Sequence, residues 1–178
     1  DVVISNAGII AAGALAMLDV ADFDRMYAIN TRAAWLLAKT AYPHLKESRG
    51  AFIATASMSA TQPTPALGFY SSSKAALLML VRQLSVEWGP DGIRCNTVSP
   101  GPTYTPMTAA GYDNPAMRDR REANIPLRKL GVAEDVANVI LFLAGPDAGH
   151  VSGIDVLVDG GMSNMLMPAS GGGTGQGK

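Results

Sequence analysis

The sequence of 178 residues has little of several features that define protein classes directly. Its single cysteine, Cys95, excludes an internal disulfide framework, so a reducing compartment such as the cytoplasm is the simplest setting. Lysine and arginine number 14 against 15 acidic residues, so a net charge of −1 gives no bulk basic field for nucleic acid or an anionic membrane. No apolar run approaches the ~20 residues that span a bilayer.

The composition also indicates no metal site and one hydrophobic core. The two histidines, His44 and His150, are far apart in sequence and have no neighbouring cysteine or paired acids. With 48% hydrophobic residues, the chain is long enough for one sizeable core and too short to expect two. Cys95 follows Ile93 in a strand-like run, which is typical of a small buried side chain rather than of a nucleophile.

Strand-like and helix-like segments alternate along the chain. This alternation predicts a parallel sheet covered by helices, the doubly wound Rossmann-type α/β class. Apolar runs and turn residues predict strands at 1–5, 51–57, 93–99 and 155–158, and helices at about 19–47, 69–88 and 134–143. Asp19 is the expected N-cap of the first helix, and Pro43 is expected to kink its last turn.

Two segments fall outside this alternation. Residues 100–130 are punctuated by proline and glycine, which is typical of a functional loop, and we interpret them as a substrate lid with short helical pieces. Residues 168–178 are Gly-rich and of low complexity, and they are expected to be a disordered tail. One domain over 1–167 is therefore predicted.

Tyr70 and Lys74 form the most informative pair. They are four residues apart on a predicted helix and so lie one turn apart on the same face. A phenol normally loses its proton near pH ~10, and a fixed ammonium beside it favours the phenolate. Lowering that pKa by ~3 units takes about 4 kcal/mol, and such a pair can donate and accept protons in carbonyl and alcohol chemistry.

Other motifs accompany this pair in a fixed order. They are Asn6-Ala7-Gly8 after an apolar strand, Asn30 in an amphipathic stretch, Ser57 at a strand end, Pro100-Gly101 after another strand, and Asp159-Gly160-Gly161 near the end. With Tyr-x-x-x-Lys, this ordered set resembles the short-chain dehydrogenase/reductase family over residues 1 to about 161. Asn6, Ser57 and Pro100-Gly101 also fall at carboxyl ends of predicted strands, where ligands of parallel sheets collect.

The resemblance implies roles for four residues. Tyr70 would be the general acid in reduction and the base in oxidation, and Lys74 would lower its pKa and hold the ribose hydroxyls of a nicotinamide cofactor. Ser57 would hydrogen-bond the reacting oxygen, and Asn30 would anchor a water that connects Lys74 to solvent. From the residues alone, the Ser57 hydroxyl could instead form hydrogen bonds with backbone groups at the strand end. The Asn30 side chain could likewise bind a nearby carbonyl.

The resemblance also implies NAD or NADP as the cofactor. Asn6, Ala7 and Gly8 would let the backbone approach the adenine-side ribose, because small residues bring no bulk. Pro100 and Gly101 would shape the wall by the nicotinamide, and Thr103 and Thr105 would offer hydroxyls. Ordinary turns are the alternative at these positions. The choice between NAD and NADP stays open, since the residues that sense the ribose 2′ position precede Asn-Ala-Gly in that family.

One departure from the family pattern concerns the beginning of the sequence. The family normally has a Gly-rich loop of the Thr-Gly-x-x-x-Gly-x-Gly kind and two further strands before Asn-Ala-Gly, whereas this sequence opens at Asp1 directly in a strand. We interpret it as the rear portion of a longer protein. The strand at Val2–Ile4 would then expose an apolar edge.

The expected substrate is a small carbonyl compound or secondary alcohol, such as a 3-oxoacyl thioester, a sugar or a polyol. An apolar pocket is a possible use of Met58, Pro65, Tyr104, Met107 and Met117. The mixed charges of 118–122 favour a solvated helical face over a phosphate site.

A homodimer or homotetramer is expected because the helix after Tyr70 and its predecessor pair between subunits in relatives. The rival interpretation is a non-catalytic interaction module that pairs with another subunit.

Overall fold

A computed structural model describes residues 1–165 and contains one four-stranded parallel sheet. The strands lie side by side in chain order and are β1 Val2–Ser5, β2 Ala51–Thr55, β3 Arg94–Pro100 and β4 Asp155–Val158. All four strands were predicted, and β4 has the predicted bounds. The predicted strand 51–57 ends two residues early, because Ser57 already caps a 3₁₀ turn at Met58–Ala60.

Helices connect the strands. They are α1 Val20–Tyr27, a π-helical turn at Ala28–Arg32, α2 Ala33–Ser48, α3 Tyr70–Trp88, α4 Ala109–Tyr112, α5 Pro115–Ala123 and α6 Ala133–Ala144. Asp19 is the N-cap of α1, as predicted, and its carboxylate accepts a hydrogen bond from the Asp22 amide at 3.2 Å. Pro43 lies inside α2 without ending it, and the left-handed Arg49 (φ 51°) follows the last turn.

The sheet buries apolar side chains on both faces, as a doubly wound fold requires. Neighbouring residues of β2 divide between the faces, because successive side chains of a strand point in opposite directions. Phe52 packs with residues of α2 and α3, and Ile53 packs with residues of α6. The predicted fold class, a Rossmann-type α/β sheet, is therefore confirmed. β1 forms one edge, where Val2 and Ile4 are 43% and 46% exposed.

The segment from Pro100 to Leu130 contains α4 and α5 and is fastened at its end. Ile125 is 1% exposed, and the Leu127 amide donates to the Gly160 carbonyl at 3.2 Å. The predicted short helical pieces are thus present, and they rest on the turn after β4. A role of this segment as a substrate lid stays a prediction.

Three sequence predictions concern absences or the end of the chain. The predicted tail, 168–178, lies outside the described residues, as do 166 and 167. Within 1–165, no group of histidine, cysteine, aspartate or glutamate side chains has an arrangement that could hold a metal ion. None of the described helices has the length and hydropathy needed to cross a membrane.

Candidate active site

A cleft of about 830 Å³ opens at the carboxyl ends of β1, β2 and β3. Nine predicted site residues line it: Asn6, Gly8, Ser57, Tyr70, Lys74, Pro100, Gly101, Thr103 and Thr105. Ala7 and Asn30 do not line it. The strands bring these residues together because the carboxyl ends of parallel strands share one edge of the sheet.

The side chains of Tyr70 and Ser57 lie close enough to interact in this cleft. Tyr70 begins α3, and Ser57 lies two residues beyond the end of β2. The Ser57 hydroxyl also accepts the Ser59 amide at 3.1 Å, so the alternative backbone role proposed for this serine is present as well. Burial raises the pKa of Tyr70 above its ordinary value, while the interaction with Ser57 acts in the lowering direction.

Lys74 is buried beside this pair. Its residue is 2% exposed, and its Nζ donates to the Thr55 carbonyl at 2.7 Å and lies 5.9 Å from the centroid of the Tyr70 ring. Burial lowers the pKa of Lys74 to about 8. Burial raises the pKa of Tyr70 and lowers that of Lys74, because it favours the neutral form of both groups, and the role of Lys74 in lowering the pKa of Tyr70 stays a prediction.

Asn30 lies behind the cleft and joins three segments. Its Nδ2 donates to the Ile9 carbonyl and to the Ser73 hydroxyl, both at 3.0 Å, and its Oδ1 accepts the Ile9 amide at 2.8 Å. Asn30 belongs to the π-helical turn, a feature that is frequent at functional sites. The Asn30 amide therefore binds nearby backbone groups, which is the structural alternative given in the sequence analysis. One lone pair of its Oδ1 remains for a water.

A residue larger than glycine would fit poorly at position 8, because Lys74 and Asn30 lie against the Gly8 backbone. A Cβ at Gly8 would be 3.2 Å from Lys74 Nζ and 3.3 Å from Asn30 Oδ1. The nearby Asn6 side chain accepts a hydrogen bond from the Thr55 hydroxyl at 2.9 Å. The Asn-Ala-Gly motif thus packs the loop after β1 against the residues that hold Lys74.

Gly101 is required by the turn after β4. A Cβ there would lie 2.5 Å from the Cβ of Asp159. Asp159 in turn accepts the Gly161 and Ser163 amides at 2.9 and 2.8 Å. Burial favours a higher pKa for Asp159, but the hydrogen bonds from Ser163 and Gly161 outweigh it and hold the pKa below its ordinary value. The Pro-Gly and Asp-Gly-Gly motifs therefore meet, and the glycine makes room for Asp159.

Gly101→Ala is expected to lower the free energy of unfolding by about 1–3 kcal/mol, because the new methyl group overpacks against Asp159. Urea denaturation measures the change. Gly111→Ala is the matched control, since a Cβ at this α4 position meets nothing within 4 Å and alanine favours helices. Equal effects of the two substitutions would contradict the packing explanation.

The two predicted threonine positions lie in the wall formed by the segment after β3. Thr103 Oγ1 donates to the Gly101 carbonyl at 3.1 Å, and Thr105 Oγ1 lies 3.2 Å from Thr108 Oγ1. Both hydroxyls thus have partners within the segment. They remain predictions as cofactor contacts.

The apolar part of the cleft was predicted in part. Met58 and Met107 line it, whereas Pro65, Tyr104 and Met117 do not. Sequence reasoning missed several other lining residues, among them Ile10, Leu67, Tyr112, Arg121, Val136 and Ile140. Arg121 was assigned to a solvated face, because the mixed charges of 118–122 carry no sign of which residue faces inward.

The residues around Lys74 suit the nicotinamide nucleotide that the family pattern implies. An ammonium has three N–H donors, and that of Lys74 has only the Thr55 carbonyl as an acceptor within residues 1–165. A buried cation with unused donors at a cleft wall suits a pair of ribose hydroxyls. Asn6 and Gly8 line the adjoining wall. These residues fit the ribose part of such a nucleotide.

The fold and the cleft together define a doubly wound α/β protein with a buried Ser-Tyr-Lys group at the ligand edge of its sheet. Residues 1–163 match the family model described as Enoyl-(Acyl carrier protein) reductase. The chain belongs to the short-chain dehydrogenase/reductase family.

Relatives of known name cover most of this chain. It is 38% identical to 2-(R)-hydroxypropyl-CoM dehydrogenase of Xanthobacter autotrophicus over 90% of its length, and 37% identical to (3R)-3-hydroxyacyl-CoA dehydrogenase of Mus musculus over 91%. It spans 66% and 62% of those two proteins. The chain therefore corresponds to slightly less than two thirds of each relative.

Solved structures give the same picture. A 4-hydroxyisoleucine dehydrogenase complexed with NADH is 28% identical with a TM-score of 0.88, and the match covers 92% of this chain and 68% of that one. A Beutenbergia cavernae protein assigned as an NAD(P)-dependent gluconate 5-dehydrogenase, with bound NADP, is 30% identical with a TM-score of 0.87, and the match covers 91% and 66%. The predicted cofactors, NAD or NADP, are those of this family.

Proposed function

We propose that this chain carries the proton-transfer site of an NAD(P)-dependent oxidoreductase that interconverts a carbonyl group and a secondary alcohol. The observation that supports the proposal most strongly is the proximity of the Ser57 and Tyr70 side chains, with Lys74 one helical turn away and all three lining one cleft. A nicotinamide nucleotide, when bound, supplies or accepts the hydride. The protein residues handle the oxygen and its proton.

Ser57 and Tyr70 act on the reacting oxygen. In reduction their hydroxyls donate hydrogen bonds to the carbonyl oxygen, and the Tyr70 proton moves to that oxygen as negative charge develops on it. Burial keeps the Tyr70 phenol protonated at neutral pH, which suits a general acid. In oxidation the same atoms work in reverse, and Tyr70 accepts the alcohol proton.

Lys74 and Asn30 support Tyr70. Lys74 offers its free N–H groups to the ribose of the nucleotide, and its charge favours the phenolate that remains after the proton has left. The second lone pair of Asn30 Oδ1 accepts a water that replenishes the proton through Lys74. Gly8 leaves the space for this water, since Lys74 Nζ and Asn30 Oδ1 both lie within 3.3 Å of its missing Cβ.

Ser57→Ala is expected to lower kcat by about 10²-fold and to leave the KM for NADPH or NADH nearly unchanged, because one donor to the developing charge is lost. Steady-state ketone reduction in the longest natural form of the protein measures both constants. Ser72→Ala on α3 is the control, as this hydroxyl is exposed and bonds only the Phe69 carbonyl. A Ser57→Ala enzyme with unchanged kcat would contradict the role of Ser57.

We also propose that the protein is a homo-oligomer located in the cytoplasm. The outer surfaces of α2 and α3 support an oligomer, because Trp35, Leu36, Met79 and Val86 are 42–77% exposed. Such apolar surface is typical of subunit contacts. Light scattering is expected to give at least a dimer, and a monomer at micromolar concentration would refute the proposal.

A further inference from the structure

Two cationic side chains and no acidic one are among the described residues that line the cleft. Lys74 belongs to the proton-transfer group. The other is Arg121 on α5, in the segment proposed as a lid. The cleft therefore carries an excess of positive charge that the Ser57–Tyr70–Lys74 group does not need.

We propose that Arg121 binds an anionic group of the substrate, so that the enzyme acts on hydroxy acids or oxo acids. This inference rests on the proposed oxidoreductase function and deepens it by naming the substrate class. One end of the substrate places its oxygen at Ser57 and Tyr70. The other end places a carboxylate or an equivalent anion at Arg121.

The attachment of α5 directs Arg121 into the cleft. Ile125, four residues further along, is 1% exposed and is fastened beside Gly160, so that side of the segment faces the protein body. Arg121 is an exposed residue that lines the cleft together with Tyr112. Its position is thus set by a buried anchor just beyond the helix end.

The Arg121 guanidinium has no partner within residues 1–165, and neither does that of Arg120, which lies outside the cleft. Arg118 pairs with Glu122 at 3.2 Å, and Arg128 donates to the Ala123 carbonyl. Neither a carboxylate nor a carbonyl in the described part of the chain accepts from the Arg121 guanidinium. Its fork of donors is free to bind a planar anion through two hydrogen bonds.

Apolar side chains make up much of the rest of the cleft lining. Met58 and Met107 lie there and suit a short carbon chain between the reacting oxygen and the anion. A phosphate of the nucleotide has the same charge as a substrate anion and is the other source of this chemistry. We assign Arg121 to the substrate, because it lies on the lid, whereas Gly8 and Lys74, which fit the ribose, lie on the sheet side.

The test uses a matched pair of probes, 3-hydroxybutyrate and its methyl ester, which differ in one negative charge. Isothermal titration calorimetry measures their binding to the longest natural form of the protein, and steady-state kinetics measures their oxidation. The wild-type protein is expected to bind the acid about 10-fold more tightly than the ester. Arg121→Gln is expected to weaken binding of the acid about 10-fold and of the ester less than 3-fold, mainly through KM. Arg120→Gln, on the same helix but outside the cleft, is the control.

Three outcomes would overturn the inference. The first is equal binding of acid and ester by the wild-type protein, including no binding of either at millimolar concentration. The second is an Arg121→Gln variant that behaves like Arg120→Gln. The third is a rise in the KM for NADPH or NADH with unchanged binding of the acid, which would assign Arg121 to a nucleotide phosphate. The calorimetric result needs no turnover, so a failure of the oxidoreductase proposal remains distinguishable from a failure at Arg121.

Discussion

Tyr70→Phe is expected to lower kcat for ketone reduction by at least about 10³-fold while dinucleotide affinity changes less than about 3-fold. The substitution removes only the hydroxyl that is proposed to donate the proton, and general acid–base catalysis contributes up to about 10⁴-fold. The phenyl ring still fills the start of α3, so the cleft keeps its shape. Stopped-flow loss of NADPH or NADH absorbance measures hydride transfer, and fluorescence titration measures binding.

Tyr27→Phe is the matched control for this experiment. Tyr27 stacks on Phe23 with ring centroids 4.3 Å apart and does not line the cleft, so loss of its hydroxyl is expected to leave kcat unchanged. Retained hydride transfer in Tyr70→Phe would refute the role of Tyr70. A parallel loss of nucleotide affinity would instead indicate a binding role.

Lys74→Met is expected to change the free energy of unfolding relative to wild type in a pH-dependent way. The variant gains stability relative to wild type near neutral pH and loses that advantage at high pH. Burial lowers the pKa of Lys74 from 10.5 to about 8, so between these values the unfolded chain binds a proton that the folded chain does not. The free energy of unfolding of wild type therefore rises with pH from about 8 to 10.5. This contribution from Lys74 is lost again as the pH falls through about 8. The free-energy difference between variant and wild type is expected to change by about 3 kcal/mol from pH 7 to pH 10.5.

Urea unfolding of both proteins at pH 7 and pH 10.5 measures this difference. The hydrogen bond to the Thr55 carbonyl is lost in the variant at both pH values, so it shifts the two measurements together. Lys39→Met, at an exposed position of α2, is the control and is expected to follow wild type. A constant difference between Lys74→Met and wild type would show that the cost of burying the ammonium is small.

The elements of the fold could be predicted because their signals are local. Apolar runs located β1 to β4, and Asp19 and the Gly89–Gly92 turn marked helix ends. The π-helical turn could not be predicted, since it depends on Asn30 reaching Ile9 and Ser73, which are distant in sequence. The left-handed Arg49 after α2 was likewise not predicted.

Most of the site residues predicted from the sequence meet in the cleft, but their electrostatics could not be predicted. Sequence spacing places Tyr70 and Lys74 on one helical face, and the structure adds that Lys74 is buried and Tyr70 partly buried. Burial raises the pKa of Tyr70, because desolvation favours the neutral phenol, and the spacing of the two residues gives no sign of this. Gly101 shows a similar limit, as its contact with Asp159 joins two motifs that follow neighbouring strands but are distant in sequence.

The pH profile of single-turnover hydride transfer tests most directly whether Tyr70 exchanges the proton. In wild type, the rate of ketone reduction is expected to stay level at low pH and to fall about tenfold per pH unit above the pKa of Tyr70, with alcohol oxidation following the opposite course. The residual rate of Tyr70→Phe is expected to lack this pH dependence. The same profile in both proteins would contradict a role of Tyr70 as the acid and base.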